Sequence, residues 1–398
     1  MIQGELVLKD GINKPSAVVT FNQAATGNQH VQADHSLSFI IRTDANYALG
    51  ERLRQNVFNH VSNERISPTK PEDVRAILDD AYATWGRNAI SAVAHAIDLE
   101  NYGMSNEGSR SINIHLHDAK FLSREVVAHA RDYMEEQGKN NVVFVSLDEM
   151  IHGDGDEWVD VGFSRLFSHD GKQQGAFVGR PGKRPLDEQI ADLRDRLIEN
   201  KEKTGERPSF VFLEDNVRHA RTINWIINEM DKGGVFEHGD LAAISTCFCC
   251  ASEEEQAKIN HKGNVIPVLG VVEYKDMKVD VITPRDLLFD GYVVEIEGGL
   301  SRLPALFMDV EKLFKVHPEK IDSFKDEVRR ACVQFCDDVY SRTGYNMKVD
   351  DLTPAQAMCE ILGCKPTDLV SDVIMAHSER EVKPAPVKNE VPFKSTFN

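Results

Sequence analysis

The 398-residue sequence has no run of about 18 apolar residues, and its first residues, MIQGELVLKDGINK, carry no apolar signal core. Neither a membrane span nor export is therefore expected, and the expected compartment is the cytoplasm. Basic surplus is lacking too: the formal net charge is −18, which argues against general nucleic-acid binding, because phosphate backbones are gripped by basic surfaces. A local cationic pocket for a compact anion remains compatible with that charge. A disulfide framework is also missing, since the seven cysteines are odd in number and three crowd together at Cys247, Cys249 and Cys250. Their spacing does not suit zinc, and the apolar run LAAISTCFCC predicts a buried strand in which cysteine acts as a small hydrophobe. Internal repeats and coiled-coil heptads are absent.

What is present is an α/β pattern. Residues 1–104 predict a separate α/β extension of unassigned role, with a strand at HSLSFIIRT and helices at YALGERLRQNVFNHV and KPEDVRAILDDAYATWGRNAISAVAHAI. The Gly/Ser/Asn-rich stretch NYGMSNEGSRS predicts a linker. Residues 105–315 alternate short apolar runs with amphipathic helices, which predicts a doubly wound parallel sheet: INIHLH, SREVVAHARDYMEEQG, NNVVFVSL, SFVFLED, ARTINWIINEMD, DLAAISTCFCC. The excursion over 149–208 exceeds an ordinary connection and predicts a lid or insertion. Residues 316–380 predict a C-terminal helical region, and the Pro- and Lys-containing tail 381–398 predicts disorder.

The chemistry concentrates in SFVFLEDNVRHARTINWI. Here an apolar strand ends in two acids, Glu214 and Asp215, and a short loop leads to Thr222 at the opening of a helix. Ligands of open α/β sheets bind outside the carboxyl ends of strands, and a helix N-terminus there offers free N–H groups to a phosphate. Adjacent carboxylates suit a hydroxyl-rich sugar or a magnesium ion.

This segment resembles the motif with which type I phosphoribosyltransferases bind phosphoribosyl pyrophosphate (PRPP), and the flanking segments most resemble the hypoxanthine-guanine branch. The resemblance covers roughly residues 110–310. It implies that Glu214 and Asp215 hold the ribose hydroxyls at the catalytic centre, while Arg218, His219, Ala220, Arg221 and Thr222 wrap the 5′-phosphate. It further implies that His117, Asp118, Ala119 and Lys120 contact pyrophosphate with Arg302, and that Lys183 and Arg184 of GRPGKRP close over it. Leu288 or Phe289 would cover the base, and Glu295 with Asp215 would hold Mg2+. Two positions depart from that branch. Arg218 stands where the purine enzymes carry an Asp base, and Cys250 stands where they carry a Lys that reads the purine oxygen. Ordinary purine salvage is therefore not the expectation.

Two functions follow from the resemblance. One is a pentosyltransferase-like enzyme acting at C1 of a phosphoribosyl group, by PRPP-dependent transfer or by cleavage of a nucleotide glycosidic bond. The other is a degenerate module that binds a nucleotide or sugar phosphate and regulates a partner. It would act as a homodimer or in a larger assembly, of which a nucleotide-sensing or nucleotide-depleting bacterial defence system is one example. Other readings of single motifs stay open. The paired acids also suit a receiver-type magnesium site, although LAAISTCFCC has no Asp to complete one, or a purely electrostatic helix cap. His115 and His117 beside Asp118 suit a metal, as does the cluster His152, Asp154, Asp156 and Glu157, whose glycines equally suit a solvated turn. Arg180, Lys183 and Arg184 suit either a clamp or an exposed basic loop.

Overall fold

A computed structural model describes residues 4–10, 14–23, 36–42, 49–64, 70–96, 111–117, 119–151, 153, 155–273, 278–282, 285–309 and 313–378. The expected linker, the expected disordered tail, Asp118, His152 and Asp154 lie outside the described residues.

The strands are β1 (Gly4–Asp10), β2 (Lys14–Gln23), β3 (Ser36–Arg42), β4 (Ser111–His117), β5 (Val142–Ser146), β6 (Trp158–Asp160), β7 (Phe163–Phe167) and β8 (Gln173–Gly179). They continue as β9 (Ser209–Val217), β10 (Asp240–Cys249), β11 (Asn260–His261), β12 (Asn264–Val265), β13 (Val268–Glu273), β14 (Lys278–Ile282), β15 (Tyr292–Ile296) and β16 (Gly299–Leu303). The α-helices are α1 (Gly50–Asn63), α2 (Pro71–Ala96), α3 (Ala119–Glu136), α4 (Leu186–Thr204), α5 (Ala220–Lys232) and α6 (Val235–His238). They end with α7 (Glu253–Ala257), α8 (Arg285–Leu288), α9 (Ile321–Thr343), α10 (Ala355–Leu362) and α11 (Val370–Ser378).

The central sheet is five-stranded and all-parallel, in the order β13-β10-β9-β5-β6. Its middle strands read as continuous apolar runs because both faces are covered. On one face Leu122, Val126, Ala130 and Met134 of α3 pack on Val211, Leu213 and Ala243. On the other, Leu193 and Leu197 of α4 with Ile223, Ile226 and Met230 of α5 pack on Val143, Val145, Phe210 and Phe212. Helices on both faces of a parallel sheet make this an α/β unit compatible with a doubly wound fold. The strand order reverses between β5 and β9, and a crevice opens at such a point beyond the strands' carboxyl ends.

One expectation is corrected. The strand INIHLH does not join this sheet. As β4 it lies between β2 and β3 in the sheet β1-β2-β4-β3-β14, where Ser36 to Arg42 pair in register with Ser111 to His117. An apolar run shows that a strand forms, but its partner is set by pairing across the chain, here with strands from the first 42 residues.

The excursion after β5 is structured and docked. Its strand β6 extends the central sheet beside β5, and its hairpin β7–β8 joins β15 and β16 in a third sheet, β16-β15-β7-β8. Phe177 stacks on Trp225 of α5 with ring centroids 4.6 Å apart, and Phe163 lies 5.2 Å from the same indole. Strands β11 and β12 form a separate short hairpin.

The early and late helices share one core. Leu78, Tyr82, Trp85 and Val93 of α2 face Phe324, Val328, Phe335 and Val339 of α9 at helical spacing. Trp85 is its centre, with Phe289 at 5.1 Å and Phe335 at 6.0 Å. Burial pushes the Cys332 thiol beside Trp85 up to about 12, so it remains a protonated, inert core group. Gly291 is required where this core meets β15: its φ is +97°, and a Cβ there would lie 2.0 Å from the Leu303 carbonyl oxygen. All seven cysteines are free thiols, with Cys247 and Cys249 buried as expected. Among the described residues no helix is long and apolar enough to cross a membrane.

Phe289 is 1% exposed within the aromatic cluster. Phe289→Ala is expected to lower unfolding stability by about 3–5 kcal/mol, read from denaturant midpoints. A change below about 1 kcal/mol would show that the ring is not packed as described.

Candidate functional site

Strand β9 carries the acid pair past the carboxyl end of β5, at the point where the strand order reverses. Phe210, Val211, Phe212 and Leu213 are fully buried, and the pairing with β5 ends at Ser146 opposite Leu213. Glu214 and Asp215 therefore lie one and two residues beyond the end of β5, with β10 as their remaining neighbour in the sheet. The strand does not stop at the acids: it stays paired with β10 to Val217, whose carbonyl accepts from the Cys250 N–H. Only Arg218 and His219 connect it to α5. The expected loop is thus shorter, with Ala220, Arg221 and Thr222 already in the first helical turn.

Burial is the main cause that raises the Glu214 carboxyl well above the ordinary glutamate range, followed by the negative charges of Asp215 and Asp148 and a hydrogen bond with Asp215. Arg180 acts in the opposite direction. The Glu214 Oε2 atom is buried without a hydrogen-bond partner. Asp148 is held by the loop after β5, where Ser146 Oγ donates to the carbonyls of Asp148 at 2.7 Å and Ile151 at 2.6 Å, and Asp148 Oδ1 accepts from the Met150 N–H at 2.8 Å.

Behind this loop lies a buried ion network. Arg180 donates to the Leu147 and Phe163 carbonyls at 3.1 and 3.2 Å and lies 3.3 Å from Glu149. Arg302 donates to Glu149 at 2.6 Å and lies 2.6 Å from Asp290, which also pairs with Arg285 at 3.0 Å. Burial opposes the Arg302 charge, but Asp290 and Glu149 outweigh it and hold the guanidinium above its ordinary pKa. The network fastens the loop after β5 to the third sheet. Arg302, expected at pyrophosphate, is instead committed to it.

The other expected residues are dispersed. Leu288 and Phe289 are in the core, 0% and 1% exposed, and offer no surface to a base. Glu295 is exposed on β15, and its carbonyl meets His169 Nε2 at 2.9 Å. Glu295 and Asp215 belong to different sheets, and among the described residues no group of three or more His, Cys, Asp or Glu side chains is arranged to hold a metal ion. Lys183 pairs with Asp160 at 3.4 Å, and Arg184 pairs with Asp192. His117 ends β4 in the first sheet and Ala119 and Lys120 begin α3, while their side chains lie outside the described set. Asp156 pairs with Arg196 and Lys203, and Glu157 with Arg131.

At the N-terminus of α5 the Ala220 N–H donates to Glu255 Oε2 at 3.2 Å, and the Thr222 hydroxyl accepts from Arg165 at 3.3 Å. Sequence reasoning missed Asp148, Glu149, Arg165 and Glu255. A signal existed for the first two, which lie two and three residues past the end of β5, a strand beside the acid pair's own. No spacing rule links Arg165 or Glu255 to α5.

No protein family, curated protein or solved structure matches this chain.

Because Glu214 has a raised folded-state pKa, its contribution to stability is complete below pH 4.5, the ordinary value, and is lost as pH rises toward the folded value. Glu214→Gln is expected to match the wild type at pH 4 and to be the more stable chain at pH 8, read from denaturant midpoints. Parallel midpoints across that range would contradict the burial of an ionisable group at this position.

Proposed function

We propose that the chain is a phosphoribosyltransferase-like module that binds a ribose phosphate, presented as a nucleotide, PRPP or a simpler sugar phosphate, in the crevice beyond β5 and β9. The observation that carries this reading is the Glu214–Asp215 pair. It sets a carboxyl whose pKa is raised, by burial first and then by the charge of Asp215, beside a second carboxyl, and so places two hydrogen-bonding groups side by side for vicinal sugar hydroxyls. Arg180 and Asp148 frame the pair, and the first turn of α5 follows it with Arg218, His219 and Arg221 close by in sequence. Such a turn suits a 5′-phosphate.

Binding without turnover is favoured by two features. Arg302 is held by Asp290 and Glu149, and Leu288 and Phe289 are inside the core. The consequence of binding would then be regulation of a partner or of a second copy.

A second reading, an enzyme that cleaves the glycosidic bond of a nucleotide, is favoured by the raised pKa of Glu214, which suits a carboxyl that delivers a proton. The C1–N bond would break with its electron pair going to the base, which would take that proton. Water would add to C1 and return a proton to the carboxylate.

Thermal melting with ribose 5-phosphate, PRPP and common nucleotides, followed by product analysis, tests both readings. Asp215→Asn is expected to weaken binding at least about tenfold, or about 1.4 kcal/mol. Product formed by the wild type and lost in Asp215→Asn would establish the enzyme, and binding without product would establish the module. An affinity change of less than about threefold would remove Asp215 from the site.

A further inference from the structure

At the rim of the helical core lies a pair of thiols that the proposed site does not use, Cys359 and Cys364. Helix α10 ends at Gly363, which takes the left-handed conformation at φ +69° and returns its N–H to the Cys359 carbonyl at 3.1 Å. Such an ending turns the residue after the glycine back toward the last helical turn, where a side-chain contact frequently forms. Here both positions are cysteine, and the Cys364 S–H donates to the Cys359 sulfur. The backbone beyond the turn is fixed as well. The Lys365 N–H donates to Asp368 Oδ2 at 2.8 Å, and the Pro366 and Asp368 carbonyls accept from the Asp350 and Val349 N–H groups at 2.9 and 3.0 Å.

These two thiols are only half-buried, whereas Cys247, Cys249, Cys332 and Cys336 are enclosed in the core. Burial raises both thiols of the pair. For Cys359 the Cys364 S–H works against that, while Cys364 is pushed up to about 12. Cys359 is therefore the sulfur that ionises first, and Cys364 is placed to resolve what forms on it. Attack draws on a small thiolate fraction, so the reaction is slow at neutral pH.

We propose that Cys359 and Cys364 are a reversible disulfide site, oxidised by a low-molecular-weight disulfide, and that the bond locks the end of α10 against the third sheet. The Cys359 thiolate attacks one sulfur of the oxidant, breaking its S–S bond and releasing one thiol, which takes up the proton that Cys359 lost. Cys364 then loses its proton, attacks the Cys359 sulfur and releases the second thiol. One S–S bond forms in the protein as the oxidant's is reduced to two thiols. The lock reaches further than the turn, because α10 holds the connection between β15 and β16. Glu360 Oε1 accepts from the Glu297 N–H, and a Cβ on Gly298 would lie 2.9 Å from Gln356 Nε2. The same sheet carries Arg302, which holds Glu149 in the loop after β5.

The test equilibrates the full chain in glutathione buffers of rising oxidised fraction, alkylates the remaining thiols and maps them by mass spectrometry, for wild type, Cys359→Ser and Cys364→Ser. Wild type is expected to lose two alkylation sites and to yield a linked Cys359–Cys364 peptide. Its oxidised form is expected to melt at least about 2 °C above the reduced form. Cys364→Ser is expected to retain a glutathione adduct on Cys359, having no thiol to resolve it, and neither variant is expected to show the melting shift. Alkylation of all seven cysteines at every oxidised fraction, or a link between another pair, would overturn the site. A Cys359–Cys364 link that leaves the melting temperature unchanged would overturn the lock.

Discussion

Two carboxyl groups placed side by side at the end of a buried parallel strand cannot both ionise cheaply, and this constraint organises the structure around Glu214. Its neighbours Asp215 and Asp148 add negative charge, burial removes water, and Arg180 offsets only part of the cost. A chain selected only for stability would gain by placing an apolar residue here. The raised carboxyl instead lies where the strand order reverses, which is where open α/β sheets receive their ligands.

The surroundings hold this arrangement in place. The aromatic contact of Phe177 with Trp225 docks the hairpin against α5, and the Glu149–Arg302–Asp290 chain ties the loop after β5 to the third sheet. The core centred on Trp85 reaches the same region through Asp290, the residue next to Phe289. The site is thus braced from the hairpin and from the helical core.

Much of the local structure was legible in the sequence. Apolar runs such as Phe210 to Leu213 and the helical faces of α4 and α9 follow from periodicity, which is a local property. The position of the acid pair at a strand's carboxyl end was legible for the same reason. What was not legible depends on distant pairing. Nothing within INIHLH indicates that its partners are β2 and β3, and LLFDGYVVEI does not reveal that Leu288 and Phe289 point into a helical core. The continuation of β9 through Asn216 and Val217 is imposed by β10, not by the polar residues themselves. The bond from Ala220 to Glu255 spans 35 residues and has no sequence signature. Resemblance to an enzyme family supplied roles for single residues, but side chains such as Arg302 have buried partners that a motif cannot display.

The most direct test of the central claim is carboxyl-carbon NMR of the wild-type chain, with Glu214 assigned by comparison with a substituted chain and followed through a pH titration with and without ribose 5-phosphate. The account predicts a Glu214 resonance that titrates above the ordinary glutamate range and shifts when ribose 5-phosphate binds. An ordinary titration with no response to the sugar phosphate would contradict it.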